Sequence, residues 1–221
     1  MRHYTRYQGM YDCCEFFGLQ RDCMDLVAGH NGLQVMCGLW EHDPAAFYEN
    51  PLQLLRQEWA HTQPRYLHPG FYPSTLPGGM LDYGCGVGAL TFPWARLGHG
   101  VTWVEHSEAA LSYLRWKAQR YDLHNVRVLS TEEHGEYVGY YTGIVCVDVL
   151  EHVDDPLWLQ SHIWQWLRPG GHALLKMEAT WPHPGHLEES CAQFDAWMTW
   201  LEEKSRVIEV DTYAWVVKEK A

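Results

Sequence analysis

Apolar side chains in the first 78 residues recur at helical spacing instead of alternating. Met10 to Phe17, Cys23 to Val27, and a stronger run from Pro51 to His61 with Leu52, Leu55 and Trp59 on one face each predict a helix. The segment from His68-Pro69-Gly70 to Pro77-Gly78-Gly79 is dense in turn formers and reads as a joint. Beyond it short apolar runs alternate with helical patterns, the signature of βαβ units and a parallel sheet. Strands are expected at Gly79 to Tyr83, Val101 to Glu105, Val126 to Leu129, Gly143 to Val147 and His172 to Met177. Helices are expected at Ala89 to Leu97, Glu108 to Tyr121 and Pro156 to Leu167, with Ser107 capping the second and Asp154-Asp155-Pro156 opening the third. After a last helix from about Leu187 to Lys204, runs at Arg206 to Val210 and Tyr213 to Lys218 are separated by Asp211-Thr212 alone. That gap allows a hairpin and not a crossover. The expectation is an α/β chain: a helical N-terminal cap over residues 1–78, then a three-layer domain over 79–221 whose sheet is mostly parallel with an antiparallel final strand.

Composition narrows the class. The 221 residues allow one α/β domain with an appended cap, and no stretch approaches the roughly 18–20 apolar residues needed to span a bilayer. Met1-Arg2-His3-Tyr4-Thr5-Arg6 is not followed by an export signal's apolar region, so a soluble, cytoplasmic protein is expected. A formal charge of -12, without any Lys/Arg run, disfavours a nucleic-acid partner. Seven scattered Cys lack a repeated C-x-x-C and read as reduced thiols.

The chemistry gathers around Met80 to Ala89. A strand ending in Gly84-x-Gly86-x-x-Ala89 and feeding a helix matches the dinucleotide fingerprint, which alone is a weak signal. Asp82 precedes the loop and is expected to point an acceptor above it, where it would repel a pyrophosphate but not a cationic sulfonium ligand with an ammonium group. Glu105, 21 residues beyond Gly84 (105 − 84), ends the next strand, where a carboxylate chelates ribose hydroxyls of either cofactor.

Two further runs, Val147-Asp148-Val149-Leu150-Glu151-His152-Val153-Asp154-Asp155-Pro156 and Leu167-Arg168-Pro169-Gly170-Gly171, resemble the motifs after strand four and before strand five of class I (Rossmann-like) S-adenosylmethionine-dependent methyltransferases. The small-molecule type, such as the ubiquinone and menaquinone biosynthesis enzymes, is the nearer likeness. It covers residues 79 to 180 closely and the final hairpin loosely. The resemblance implies S-adenosylmethionine as cofactor and a small-molecule acceptor methylated on O, C or N. It implies that Asp82 and the backbone of Gly84, Cys85, Gly86 and Gly88 hold the methionine part, Glu105 the ribose, and His106 packs beside the adenine. Glu132 would accept from the adenine amino group, and Asp148 to His152 would line the space between cofactor and acceptor. The family's aromatic-Asp pair opening strand four is here Tyr141-Thr142, and Glu132 stands for the more frequent Asp.

Methyl transfer needs positioning, exclusion of water and, for a hydroxyl or acidic carbon, removal of a proton. His152 is the candidate base, with Asp148 beside it; a structural His152 bonded to a loop carbonyl is equally open. Glu151 reads as capping or solvent-facing. His183-Pro184-Gly185-His186 with Glu188 and Glu189 reads as a surface loop, so no metal is expected. Cys85 fits a crowded turn and is not expected to act as a nucleophile. Tyr4, Tyr7, Tyr11 and Trp59 are expected to close over a flat apolar acceptor. Two rival readings stay open: a nicotinamide-dependent oxidoreductase, and a non-catalytic S-adenosylmethionine-binding partner or sensor.

Overall fold

In the computed structural model, residues 6–61, 79–204, 206–207 and 216–219 are described. Four helices precede the sheet: α1 (Arg6–Phe17), α2 (Cys23–Val27), α3 (Gly29–His42) and α4 (Pro51–His61), with a 3-10 turn at Phe47–Glu49. The sequence pattern did not announce α3, because Gly29, Gly32 and Gly38 dilute its apolar stripe. Packing supplies what propensity lacks: Met36 is buried with Met24, Val27, Leu54 and Leu55. Apart from Gly79, the expected joint lies outside the described residues.

Five strands, β1 (Met80–Tyr83), β2 (Val101–Glu105), β3 (Val126–Ser130), β4 (Tyr141–Val147) and β5 (Leu167–Lys176), run parallel in the order β3-β2-β1-β4-β5. Beyond β5 lie β7 (Val216–Glu219), antiparallel to it, and β6 (Arg206–Val207), antiparallel to β7. The turn expected at Asp211-Thr212 lies outside the described residues. The strand order reverses between β1 and β4, so the connections leaving their C-terminal ends diverge and open a crevice there.

The period-two alternation of β4 builds the layers. Ile144 and Cys146 face α7 (Pro156–Trp166) and α9 (Phe194–Lys204), meeting Leu159, Ile163 and Trp197. Val145 and Val147 face the other side, with Phe92 of α5 (Phe92–Arg96) and Leu114 of α6 (Glu108–Arg120). Ser107 caps α6, accepting from Ala110 N, and Asp155 caps α7, accepting from Trp158 N.

Several expected boundaries shift. The helix expected from Ala89 starts at Phe92, after Thr91, whose hydroxyl is committed to Asp82 and does not cap it. Strand β5 begins at Leu167 and not His172: the chain pairs Leu167 with Tyr141 and is then offset by an irregularity between Tyr141 and Gly143. The expected helix 187–204 breaks into α8 (Glu188–Cys191) and α9. No helix among the described residues is long and apolar enough to cross a membrane.

One buried ion pair sets the cap on the sheet. Lys117 Nζ of α6 donates to Glu58 Oε1 of α4 at 2.6 Å and to the Val87 carbonyl of the glycine loop at 3.0 Å, and the Tyr113 hydroxyl donates to the same Glu58 oxygen at 2.8 Å. Both charged side chains are wholly buried. Val87, Ala89, Ala110 and Tyr113 complete an apolar cluster with Met10, Cys13, Leu54 and Leu55 of the cap. Lys117→Met, which strands the Glu58 carboxylate in that interior, is expected to lower the unfolding free energy in urea by about 3–5 kcal/mol. The Glu58→Leu/Lys117→Met double variant should recover most of it; a double variant as unstable as the single one contradicts the assignment.

Candidate functional site

The crevice between β1 and β4 opens into a cavity of about 670 Å3. That is ample for a nucleoside-bearing ligand together with a small second molecule. Its floor is the C-terminal ends of the strands: Tyr83 and Gly84 after β1, Glu105 and His106 after β2, Thr131 after β3, Val147 to Val149 after β4, and Glu178 and Thr180 after β5. Its roof is the cap: Leu33, Met36, Phe47, Tyr48, and the face of α4 carrying Gln53, Arg56, Gln57, Ala60 and His61.

The loop after β1 turns through left-handed conformations at Gly84 and Gly86, with φ of +65° and +54°. Close approach explains both. A Cβ on Gly84 would lie 2.4 Å from Val149 Cγ2, and one on Gly86 would lie 2.3 Å from Gln57 Oε1. Cys85 is wholly buried in the turn, and burial, with Asp82 and Glu105 nearby, pushes its thiol well above the ordinary range. That agrees with an inert packing residue.

Glu105 stands where a ribose-binding carboxylate was expected. Its Oε2 accepts from Gly86 N at 2.7 Å, and its Oε1 accepts from His106 N at 2.8 Å and Ser107 N at 3.2 Å. Burial works to raise its pKa; the hydrogen bond and charge of His106 and the two backbone donors at His106 and Ser107 outweigh this and hold the group below the usual carboxylate value. His106, exposed, pairs with it at 2.8 Å and meets the Tyr48 ring edge-on.

Several expectations are corrected. Asp82 does not face the space above the loop: it is 2% exposed, and its Oδ2 accepts from Thr91 Oγ1 at 2.6 Å, which in turn accepts from Trp103 Nε1 at 2.7 Å. The alternation of β1 turns Asp82 into the layer between sheet and helices. Burial, only partly offset by the Thr91 hydrogen bond, pushes its pKa up to about 7. Glu132 is exposed, and its neighbour Thr131 takes the place on the cavity wall. Tyr7 and Tyr11 are exposed, Trp59 packs in the cap with the Arg56 guanidinium 4.2 Å from its ring centre, and none of the three lines the cavity. Tyr4 lies outside the described residues.

The segment after β4 converges on the cavity as expected. Asp148 adopts a left-handed backbone, φ +55°, which is costly for a residue with a Cβ. Its carboxylate is gripped by Lys176 at the end of β5, with His61 Nε2 of α4 4.0 Å away. Glu151 is not solvent-facing: it is fully buried, its Oε1 accepts from Glu178 N at 3.1 Å, and its Oε2 meets no partner among the described residues. Burial, then the Asp148 charge, pushes its pKa well up, so it holds a proton more readily than an ordinary glutamate.

His152 makes the loop-carbonyl bond that one of the two open readings called for. Its Nδ1 lies 2.7 Å from the Gly185 carbonyl, which can only accept, so Nδ1 carries the proton and Nε2 is bare in the neutral ring. Tyr48 of the cap closes the arrangement, its hydroxyl 2.9 Å from the same Nδ1 and 3.3 Å from the Gly185 carbonyl. Burial lowers the His152 pKa and keeps the ring neutral. His186, 4.9 Å away between ring centres, repeats the device: its Nδ1 meets the Thr180 carbonyl at 2.8 Å, and burial, with the His152 ring close by, lowers its pKa to about 4. The loop 183–186, expected to lie on the surface, therefore folds into the cavity wall. Glu151, His152 and His186 present ligand atoms within 4.8 Å of one another, a donor set compact enough for a cation and one the expectation of no metal did not foresee.

Sequence reasoning missed Tyr48, Gln53, Gln57, His61 and His186 as cavity-lining residues, and Lys176 as the partner of Asp148. The four-residue spacing of Gln53, Gln57 and His61 was a visible signal; the others depend on which loop meets which.

Comparisons with known proteins bear on the family and the fold. A family model described as a methyltransferase domain matches residues 52–219. The ubiquinone biosynthesis O-methyltransferase of Acinetobacter baumannii (strain AYE) is 35% identical over 96 residues, 42% of this chain and 40% of that protein. That of Aromatoleum aromaticum is 36% identical over 97 residues, with the same shares of 42% and 40%. The chain thus spans about two fifths of the length of the curated relatives it matches. A solved structure concerned with conversion of a disulfide bond into a thioacetal group during echinomycin biosynthesis superposes with a TM-score of 0.50 at 18% identity, over 66% of this chain and 77% of that one, a likeness of fold.

The raised Asp82 value carries a sign that stability measurements can read. The unfolded carboxyl, near 3.8, gives up its proton while the folded one, near 7, keeps it, so Asp82 makes stability fall as pH rises from about 4 to about 7. Asp82→Asn should flatten that part of the curve and raise relative stability at pH 8. A pH dependence identical to wild type would place the charge elsewhere.

Proposed function

The chain belongs to the methyltransferase domain family, and from that premise we propose that it transfers a methyl group from S-adenosylmethionine to a small-molecule acceptor in the cavity between sheet and cap. The observation that carries this reading is the pairing in one cavity of a buried carboxylate at the end of β2 with a bare imidazole nitrogen after β4. The cofactor supplies a sulfonium methyl to a nucleophile approaching in line. Glu105 binds the ribose hydroxyls, releasing Gly86 N and Ser107 N or sharing them. His106 and Thr131 flank the adenine end. Leu33, Met36 and Phe47 give the acceptor an apolar wall and keep water out. For an acceptor hydroxyl, the oxygen forms the new bond to the methyl carbon as the sulfur–methyl bond breaks, and the proton leaves to His152 Nε2. Tyr48 and the Gly185 carbonyl hold that ring in its working tautomer. Asp148 and Glu151 shape the space around it. The acidic charge of the chain disfavours nucleic acid as the acceptor, and a cytoplasmic setting suits this chemistry.

A second reading is favoured by one observation, the convergence of Glu151, His152 and His186: a divalent cation held there would orient and acidify an acceptor hydroxyl in place of the base. A nicotinamide site would share the glycine loop and Glu105, and with Asp82 turned inward it is the match to a methyltransferase domain that weighs against it.

Transfer of labelled methyl from S-adenosylmethionine to a panel of phenols, catechols, hydroxy acids and amines tests the proposal. The expected result is one responsive acceptor class, a loss of about 100-fold or more in kcat for His152→Asn, and loss of cofactor affinity for Glu105→Ala. Activity that survives exhaustive chelation supports the base; activity abolished by chelation and restored by a divalent cation supports the second reading. Unaltered cofactor affinity in Glu105→Ala contradicts the placement of the site.

A further inference from the structure

The amino-acid end of S-adenosylmethionine carries an ammonium and a carboxylate, and the residues expected to meet them are occupied. Asp82 is turned into the interior towards Thr91. In the glycine loop Cys85 N donates to Val104 O, Gly86 N to Glu105 Oε2 and Gly88 N to Cys85 O. The loop backbone so arranged is a cradle by shape more than by free donors.

Opposite the loop, α4 presents two side-chain amides. The amide of Gln57 rests on Gly86 so closely that a Cβ there would meet its Oε1 at 2.3 Å and its Nε2 at 3.2 Å. Gln57 Oε1 is buried with no hydrogen-bond partner among the described residues, and the same holds for Oε1 of Gln53, one turn earlier and 7% exposed. Both line the cavity. Buried amide oxygens are ordinarily paired, and one left unpaired is costly enough to require a reason. Glu58, on the same helix, is tied to Lys117 of α6, which fixes the height of α4 over the loop and denies these side chains an easy retreat.

We propose that Gln57, with Gln53 behind it, binds the amino-acid end of the cofactor: an amide oxygen accepts from the ammonium and an amide NH2 donates to the carboxylate. The cap is then part of the cofactor site and not only a cover for the acceptor. A primary amide offers both functions on one group and adds no charge, which suits a zwitterion. The assignment explains why position 86 is glycine beyond its backbone angle, since any side chain there would displace the clamp. It rests on the reading of the cavity as an S-adenosylmethionine site.

Calorimetric titration of the full chain with S-adenosylhomocysteine and with 5′-deoxy-5′-methylthioadenosine, which keeps the adenosine and the thioether but lacks the amino-acid end, separates the two claims. In wild type both should bind, the first more tightly. Gln57→Met, close in volume and apolar at its tip, should weaken S-adenosylhomocysteine by about tenfold or more while leaving methylthioadenosine within about twofold. Retained methylthioadenosine binding also certifies that the variant is folded. Gln53→Met should show the same selective loss to a smaller degree. Undiminished S-adenosylhomocysteine affinity in Gln57→Met, or an equal loss for both ligands, overturns the inference while the site reading stands. A wild-type chain that binds neither ligand overturns the site reading and the inference together.

Discussion

The geometry of this molecule hangs on a charge pair removed from water. Lys117 on α6 reaches across to Glu58 on α4 and to the carbonyl of Val87 in the glycine loop, so a single ammonium joins α6, the cap and the loop. A buried pair of this kind is weak evidence for net stability, because desolvating two charges costs about as much as their attraction returns. Its value lies in position. An unpaired charge in that interior is prohibitive, so α4 has one acceptable seat, and every cavity residue it carries inherits that precision.

From that seat the polar groups of the cavity fall into two kinds. Some are satisfied within the protein and therefore set in place: Glu105 by backbone donors, Asp148 by Lys176, and the Nδ1 atoms of His152 and His186 by loop carbonyls. Others are buried and unspent, notably the Oε2 of Glu151 and the amide oxygens of Gln53 and Gln57. The first kind is set in place; the second is where the proposed ligand contacts fall. Placing Asp148 in the left-handed region at the end of β4 adds local strain where a ligand is expected, a pattern common at functional sites. Tyr48 links the halves: its hydroxyl touches His152 and its ring meets His106 beside the β2 carboxylate.

How much of this the sequence disclosed follows from what each signal depends on. Strand β2 and helices α2 and α4 kept their expected bounds because period and end signals agree locally. Helix α3 was hidden because its glycines mask a stripe that only packing against α2 and α4 makes coherent. Glu105 was placed by its strand end and its distance from Gly84, the Asp148–His152 segment by its likeness to a family motif, and both line the cavity. Asp82 was misread for want of a fact no local pattern holds: which side of β1 it lies on, and that Thr91 and Trp103 wait there. Glu132 missed the wall by one residue, in a loop whose turn the pattern leaves loose. The aromatic roof was assigned to Tyr4, Tyr7, Tyr11 and Trp59 from aromatic density and the place of the cap before strand one, whereas Phe47 and Tyr48 line the cavity through contacts distant in sequence.

A crystal structure of the full chain grown with S-adenosylhomocysteine tests the central claim most directly. The account predicts density between the glycine loop and α4, with ribose hydroxyls on the Glu105 carboxylate and the sulfur directed towards His152. Ligand bound outside this cavity, or reversed so that the ribose lies away from Glu105, would contradict it.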